Sequence, residues 1–328
     1  MIVRPARVTG AAIAAALASR ELALPDGHTL RTLEDRRDLT RAVERLGSSV
    51  WPEFMLHDVV SDRCWPRMAA DFPAFQMALV DDGGGVVAVG RSLPLAWDGT
   101  LEDLPHGWDE QFERSVAKFE RSVAQFERRT EQSQRRTERA GHRTERSGRR
   151  TERSGRRTER SGRRTERAGR RTEQSEGARP PNTLGAIMIV TDPARRGDGL
   201  GSLMLGAMQE AGRLHGLSTL VACVRPTLLE RYPLTPIGEY ARWTRDDGLP
   251  FDPWIRIHVR LGGRLSRPEP ASMRVSASID DWETWTGMAF PASGEYVVPG
   301  ACAPVRVDRD ADTATYLDPN VWVIHDLA

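Results

Sequence analysis

Apolar positions recur along the chain with different periods, and each period predicts an element. From Thr29 to Leu46 the residues Leu30, Leu33, Leu39, Val43 and Leu46 fall on one side of a helix, and a second helical stretch with tryptophans runs from Val50 to Met68. Phe75 to Val80 and Val86 to Gly90 are short apolar runs joined by Asp81-Asp82-Gly83-Gly84-Gly85, a strand–turn–strand signal. Thr183 to Val190 and Leu217 to Val224 read as buried strands, with an amphipathic helix from Gly199 to His215 between them. Helices, a hairpin and then strand–helix–strand predict an α/β fold with a mixed sheet flanked by helices. The tail from Met273 to Ala328, with Trp282, Trp285 and strand-like 320–324, is expected to complete that sheet and one wall of a pocket.

Between the two halves the period changes to seven. The heptads begin at Phe112 and Phe119 with Val116 and Val123 four residues on, the spacing of a coiled-coil seam, but after Phe126 those positions hold Thr, Ser and Ala. The later unit is Ser-Gly-Arg-Arg-Thr-Glu-Arg. Its Glu-to-Arg pairs four residues apart each add ~0.2–0.5 kcal/mol to a helix, and one glycine per unit costs ~1 kcal/mol and cancels them. The reading is a solvated, marginal helix that frays after about residue 140. The expected domain organisation is an N-terminal extension over 1–27, a first half-domain over 28–111, the repeat over 112–178 and a second half-domain over 179–328. Joining Gly107 to Ala178 by a short linker is expected to leave folding close to unchanged.

Charge sharpens the contrast between these materials. Residues 112–174 hold 21 of the 47 Lys+Arg and 10 of the 46 Asp+Glu, a local charge of +11 that leaves −10 on the remainder of a chain whose net charge is +1. A basic tract can bind phosphates by releasing counterions, yet aromatic residues that would stack bases stop at Phe126 and every unit carries a Glu, so nucleic acid is not the expected partner. No stretch of the sequence approaches the ~20 apolar residues of a membrane span. Cys64, Cys223 and Cys302 lie far apart, which excludes a disulfide framework and a four-cysteine zinc site and suits a reducing cytoplasm; no metal is expected. The alanine-rich run Ala11 to Ala18 is too weakly hydrophobic for a secretion signal and reads as a loose helical or disordered extension.

The chemistry is concentrated between the strand ending at Val190 and the helix beginning at Gly199. The connection Thr191-Asp192-Pro193-Ala194-Arg195-Arg196-Gly197-Asp198-Gly199-Leu200-Gly201-Ser202 feeds a helix N-terminus, where free backbone N–H groups and the positive end of the helix dipole favour anionic phosphates. Gly197, Gly199 and Gly201 allow close approach of the backbone, and Arg195 and Arg196 add charge. The run lacks the Gly-Lys-Ser/Thr end of a nucleotide-hydrolase loop, and its glycines step by two, unlike Gly-x-Gly-x-x-Gly.

Arg196-Gly197-Asp198-Gly199-Leu200-Gly201, preceded by Asp192-Pro193 and followed by Ser202, resembles the Arg/Gln-x-x-Gly-x-Gly/Ala signature of the GNAT superfamily of acyl-CoA N-acyltransferases. The resemblance covers roughly residues 28–105 and 181–265. It implies a GNAT-like, mostly antiparallel central sheet, with acetyl-CoA as cofactor. It implies that the loop amides and Ser202 hold the pyrophosphate and that the backbone of Met188 to Val190 pairs with the pantetheine arm. It further implies a general acid for the departing thiolate near the end of the next helix, where family members often carry tyrosine; His258 stands there, after Asp252 as N-cap and Pro253 at the first helical position, and before Gly262 as the stop. A histidine can serve because its pKa lies near neutrality, or it packs structurally beside Trp254. The strand 184–190 has no carboxylate base; Glu239, Asp98 and Glu295 are candidates by chemistry alone. The stretch from Tyr232 to Trp254 is the expected acceptor site, with Glu239, Tyr240, Trp243 and Trp254 suited to a cationic amine. The acceptor is the primary amine of a small molecule or a protein, the expected location is cytoplasmic, and the sequence leaves monomer and homodimer open. The alternative is a catalytically silent CoA-binding regulatory or scaffold module with the basic repeat as its partner- or nucleic-acid-binding arm.

Overall fold

A computed structural model describes residues 8–120 and 180–328. Most of the heptad repeat, including the point where its helix was expected to fray, lies outside the described residues. In chain order the elements are α1 (Gly10–Ala18), β1 (Thr29–Thr32), α2 (Thr40–Ser48), α3 (Val59–Asp71), β2 (Gln76–Val80), β3 (Val86–Leu95) and α4 (residues 108–120). After the repeat come β4 (Thr183–Thr191), α5 (Leu200–Leu214), β5 (Thr219–Val224), α6 (Ile237–Tyr240), α7 (Pro253–Arg260), β6 (Arg264–Ala277), α8 (Ile279–Thr286), β7 (Gly294–Tyr296), β8 (Val305–Asp308) and β9 (Thr313–Asp326). Nine strands form one sheet in the order β1-β2-β3-β4-β5-β9-β8-β7, with β6 also paired to β9. Every pairing is antiparallel except β4 with β5. This is the mixed, mostly antiparallel GNAT-like sheet that the sequence implied.

The hairpin, the strand–helix–strand unit and the closing strand lie where the apolar runs placed them. The first helix does not. Residues 29–32 form β1, antiparallel to β2, with Leu30 and Thr32 turned inward, and the helix begins only at Thr40. Leu30 and Leu33 have helical spacing, but Leu30 and Thr32 also alternate, and the free edge of β2 decides between the two periods.

The N-terminal segment is likewise no loose extension from Gly10 onward. Thr9 caps α1 by accepting from the Ala12 N–H at 3.2 Å. Ile13 and Leu17 are fully buried in the core shared with α5. Alanines and glycines permit the close packing: a Cβ on Gly10 would stand 2.3 Å from the Leu30 carbonyl oxygen, and one on Gly206 of α5 would meet Leu22 at 2.9 Å and Leu17 at 3.2 Å. Arg20 and Arg213 both pair with the buried Glu210, at 2.8 and 2.7 Å.

The start of the heptad repeat also belongs to the core. Gly107, at φ +102°, passes so close to β6 that a Cβ would lie 2.4 Å from the Ser272 Cα. The helix that follows buries Phe112 completely and Val116 almost so. Trp108 Nε1 donates to the Ile187 carbonyl at 2.9 Å, and Gln111 Nε2 donates to the Ala186 carbonyl at 3.0 Å. The expectation that the chain can be closed from Gly107 to Ala178 without consequence is therefore corrected, because that excision removes all four contacts. Phe112→Ala alone is expected to cost ~3–5 kcal/mol. Thermal unfolding of two excised proteins checks the point: replacing 121–179 by a Gly/Ser linker should leave the melting temperature far higher than replacing 108–178, and equal melting temperatures would contradict the role given to α4.

Candidate active site

The parallel pair at the centre of the sheet sets the site. Thr183 to Ala186 of β4 pair with Thr219 to Ala222 of β5, and then the strands part, β4 staying with β3 and β5 with β9. A register shift in β3 between Arg91 and Ser92 leaves Ile187 without a partner in β3, and its carbonyl is the one held by Trp108. The gap opens into a cavity of about 1300 Å³ bounded by 186–191, by 222–228, by the glycine-rich loop and by α7.

The loop is built by local rules. Asp192 Oδ1 accepts from the Ala194 N–H at 2.9 Å and starts a short turn, Pro193–Arg195. Arg195 Nε pairs with Asp198 Oδ2 at 2.7 Å, so that charge is largely matched within the loop, and both Arg195 and Arg196 line the cavity. Gly197 (φ +98°) and Gly199 (φ +77°) occupy the left-handed region, and nothing lies within 4 Å of where their Cβ atoms would be. Gly199 is the N-cap of α5 and brings no capping side chain, so the first-turn amides of Leu200, Gly201 and Ser202 have no intrahelical acceptor. Open space in front of unpaired N–H groups fits a pyrophosphate. Met188, Val190, Arg195, Arg196, Gly197, Gly199, Gly201 and Ser202 all line the same cavity.

Across the cavity, Asp252 organises α7. Its Oδ1 accepts from the N–H groups of Trp254 and Ile255, at 2.9 and 3.2 Å, and its Oδ2 accepts from the Leu228 N–H at 2.9 Å and the Tyr240 hydroxyl at 3.0 Å. Trp254 lines the cavity with its ring set edge-on to His258, centroids 4.8 Å apart. His258 also lines the cavity and is 1% exposed. Burial, with His325 beside it, holds its pKa well below the ordinary histidine value. A ring so held favours its uncharged form, in which one nitrogen donates and the other accepts.

The acceptor candidates separate. Tyr240 is buried with its hydroxyl committed to Asp252, and burial raises its pKa. It packs with Tyr232, Trp243 and Phe251, with Trp243 5.0 Å from both tyrosines. Glu239, Tyr240 and Trp243 do not line the cavity, and neither do Asp98 and Glu295. Asp98 Oδ1 instead accepts from the Thr100 N–H and hydroxyl at 2.8 and 2.6 Å.

Other side chains, not singled out in the sequence, line it instead. Glu44, on α2, accepts from Trp65 Nε1 at 2.6 Å and pairs at 2.9 Å with the fully buried Arg91, whose guanidinium lies 4.5 Å from the Trp65 ring centre. Trp51, Asp62, Trp65 and Trp108 face the cavity, as do Arg225 and Asp318, joined at 3.0 Å. The tryptophans were visible as part of an amphipathic stretch, but nothing local distinguishes a ring facing a cavity from one facing the core.

An open, mostly antiparallel sheet whose central parallel pair parts over a glycine-rich helix start is a GNAT-like arrangement, and the chain is similar over nearly its whole length to an N-acetyltransferase. It is 27% identical over 339 aligned positions to the arginine N-acetyltransferase avaD of Aspergillus versicolor, spanning 94% of this chain and 97% of that one. Among solved structures it is similar to the loading GNATL domain of CurA from Lyngbya majuscula, at 17% identity, with 92% and 98% of the two chains covered and a TM-score of 0.46. It is also similar to the GphF GNAT-like decarboxylase in complex with isobutyryl-CoA, at 16% identity, 91% and 99% coverage and a TM-score of 0.45. No family model matches the chain.

Cys223 faces the cavity yet is a poor nucleophile. Burial raises its thiol pKa, as it raises that of Cys64 and pushes that of Cys302 up to about 12. All three thiols are buried. Thiol labelling of the native protein at pH 8 should therefore run at least about 10-fold slower than after unfolding. Fast native labelling of Cys223 would refute this description of the site.

Proposed function

We propose that the chain moves an acyl group from acyl-CoA to the primary amine of a small cationic acceptor, with arginine the first to test. The observation that carries the reading is one cavity shared by the glycine-rich loop, the unpaired length of β4, His258 and a wall of tryptophans and carboxylates. Acyl-CoA supplies an activated thioester carbonyl: the amine nitrogen bonds to that carbon, the carbon–sulfur bond breaks, and the proton lost by nitrogen passes through water to sulfur. The first-turn amides of α5, with Gly197 and Arg196, hold the pyrophosphate. The edge of β4 beyond Ala186 takes the pantetheine amides, the place β5 leaves free. His258 Nε2–H donates a hydrogen bond where negative charge develops, a neutral donor already fixed in place. Trp51 and Trp65 offer ring faces, and Asp62 a carboxylate, to the acceptor's cation. The arginine-acetylating relative supports this acceptor class.

The carboxylates in the cavity lining, Asp62 among them, support transfer over a silent CoA-binding module. A panel of amines offered with acetyl-CoA, followed by free thiol release, tests it. Arginine or another guanidino amine should turn over; no turnover across the panel, with CoA binding intact, would overturn the transferase reading in favour of the module. The loop is tested separately. Acetyl-CoA at 100 times its Kd should stabilise the protein by ~2.7 kcal/mol, and Gly199→Val, which strains a left-handed backbone and fills the cradle, should abolish the rise in melting temperature. Equal rises in both proteins would remove the loop from the CoA site.

A further inference from the structure

Two buried histidines from distant parts of the chain meet behind the cavity. His258 Nδ1 on α7 lies 2.9 Å from His325 Nε2 on β9, and His325 Nδ1 lies 3.0 Å from Gln209 Nε2 on α5. His258 and His325 are each 1% exposed, and Gln209 is 8% exposed. The far end of this line fixes every proton in it. Gln209 Nε2 also lies 2.9 Å from the Leu261 carbonyl oxygen, which only accepts. An amide turned the other way would set oxygen against oxygen, so the NH2 group occupies that place and gives one hydrogen to Leu261 and the other to His325 Nδ1. A neutral imidazole has one donor and one acceptor nitrogen. His325 therefore carries its hydrogen on Nε2 and donates it to His258 Nδ1, and His258 in turn carries its own on Nε2, the ring nitrogen left for the cavity.

The rings are held in place as well as in tautomer. Gly263 lies three residues beyond the end of α7, and its N–H donates to the His258 carbonyl at 2.8 Å. A Cβ there would stand 2.6 Å from His325 Cε1, so the chain passes against the second ring with no room to spare. Trp254 meets the His258 ring edge-on. Burial keeps the line uncharged at pH 7, with the His325 pKa lowered to about 4.

We propose that Gln209 and His325 are positioning residues that lock His258 in its Nε2–H tautomer, so that a neutral N–H faces the acyl thioester. The inference rests on the use of His258 proposed above. Histidine labelled with ¹⁵N in the full chain, read by two-bond proton–nitrogen correlation at pH 7, should show His258 as Nε2–H. Gln209→Leu removes the donor that fixes the far end of the line and should let His258 appear as a mixture of Nε2–H and Nδ1–H. In kinetics, His325→Leu should lower kcat at least about 10-fold with KM for acetyl-CoA within about twofold, and His325→Gln, which keeps an N–H donor, should restore most of it. A wild-type His258 found as Nδ1–H, or unchanged kcat in His325→Leu, overturns the proposal. So does wild-type turnover in His258→Ala, but that result leaves the acyltransferase reading standing, because CoA binding and the amine panel decide it independently.

Discussion

The parallel pairing of β4 with β5 stops after four residues, and the site depends on that gap. A strand edge deep in a sheet cannot keep unpaired N–H and C=O groups without compensation. Here two side chains of α4 compensate at the point of divergence, Gln111 at Ala186 and Trp108 at Ile187. Further along, the edge of β4 faces the cavity, where a ligand with amide groups can complete it. A sheet continued by β5 to its end would be more regular and would leave no place for a substrate.

Holding that gap open is the task of a small polar network on its floor. Ser272 of β6 accepts from the Trp108 backbone N–H at 2.8 Å and, at 3.1 Å, from the Cys223 thiol. It donates to Asn320 Oδ1 at 2.7 Å, and Asn320 donates to Asp318 Oδ2 at 3.0 Å. Asp318 accepts from Arg225 and from the Tyr316 hydroxyl, and that hydroxyl accepts from the Cys302 N–H. Every hydrogen in the chain of bonds has one donor and one acceptor, and it links α4, β5, β6 and β9. Buried polar groups so matched specify one arrangement, since losing any member strands its neighbour without a partner. The long strands β6 and β9, with their register shifts, place these residues under the cavity.

What was legible in the sequence is what local rules decide. The loop from Asp192 to Ser202 was readable because left-handed glycines, a capping Asp and a helix start are written in consecutive residues. The hairpin and α5 were readable for the same reason. β1 was not, because Leu30 and Leu33 satisfy a helical period and only pairing with β2, 45 to 51 residues away, chooses the strand. Alanines in α1 look weakly hydrophobic, yet small side chains are what let it lie against Leu30 and α5. Phe112 and Val116 match the repeat in spacing and the core in packing. His325, 67 residues from His258, carries no local mark at all; its meaning lies in a contact made by folding.

In the proposed reaction, the uncharged state of His258 decides how charge flows. A buried imidazole that takes up no proton near pH 7 has no extra proton to give a leaving thiolate, so it acts by orienting an N–H dipole and not by transfer. The proton on sulfur must then originate on the amine. That amine arrives as a cation, and it becomes a nucleophile only after losing one proton, which water in an open cavity can carry away. Of the carboxylates lining the cavity, Glu44 and Asp318 are held by Arg91 and Arg225, and both arginines stay charged. Their charges are matched within those ion pairs, so in the proposed reaction the acceptor's cation is left to Asp62 and the ring faces of the cavity wall. In the proposed reaction, binding and chemistry are thus divided between groups: Asp62 and the ring faces are assigned to the acceptor, the amides of α5 to the donor, and one neutral imidazole to the bond that breaks.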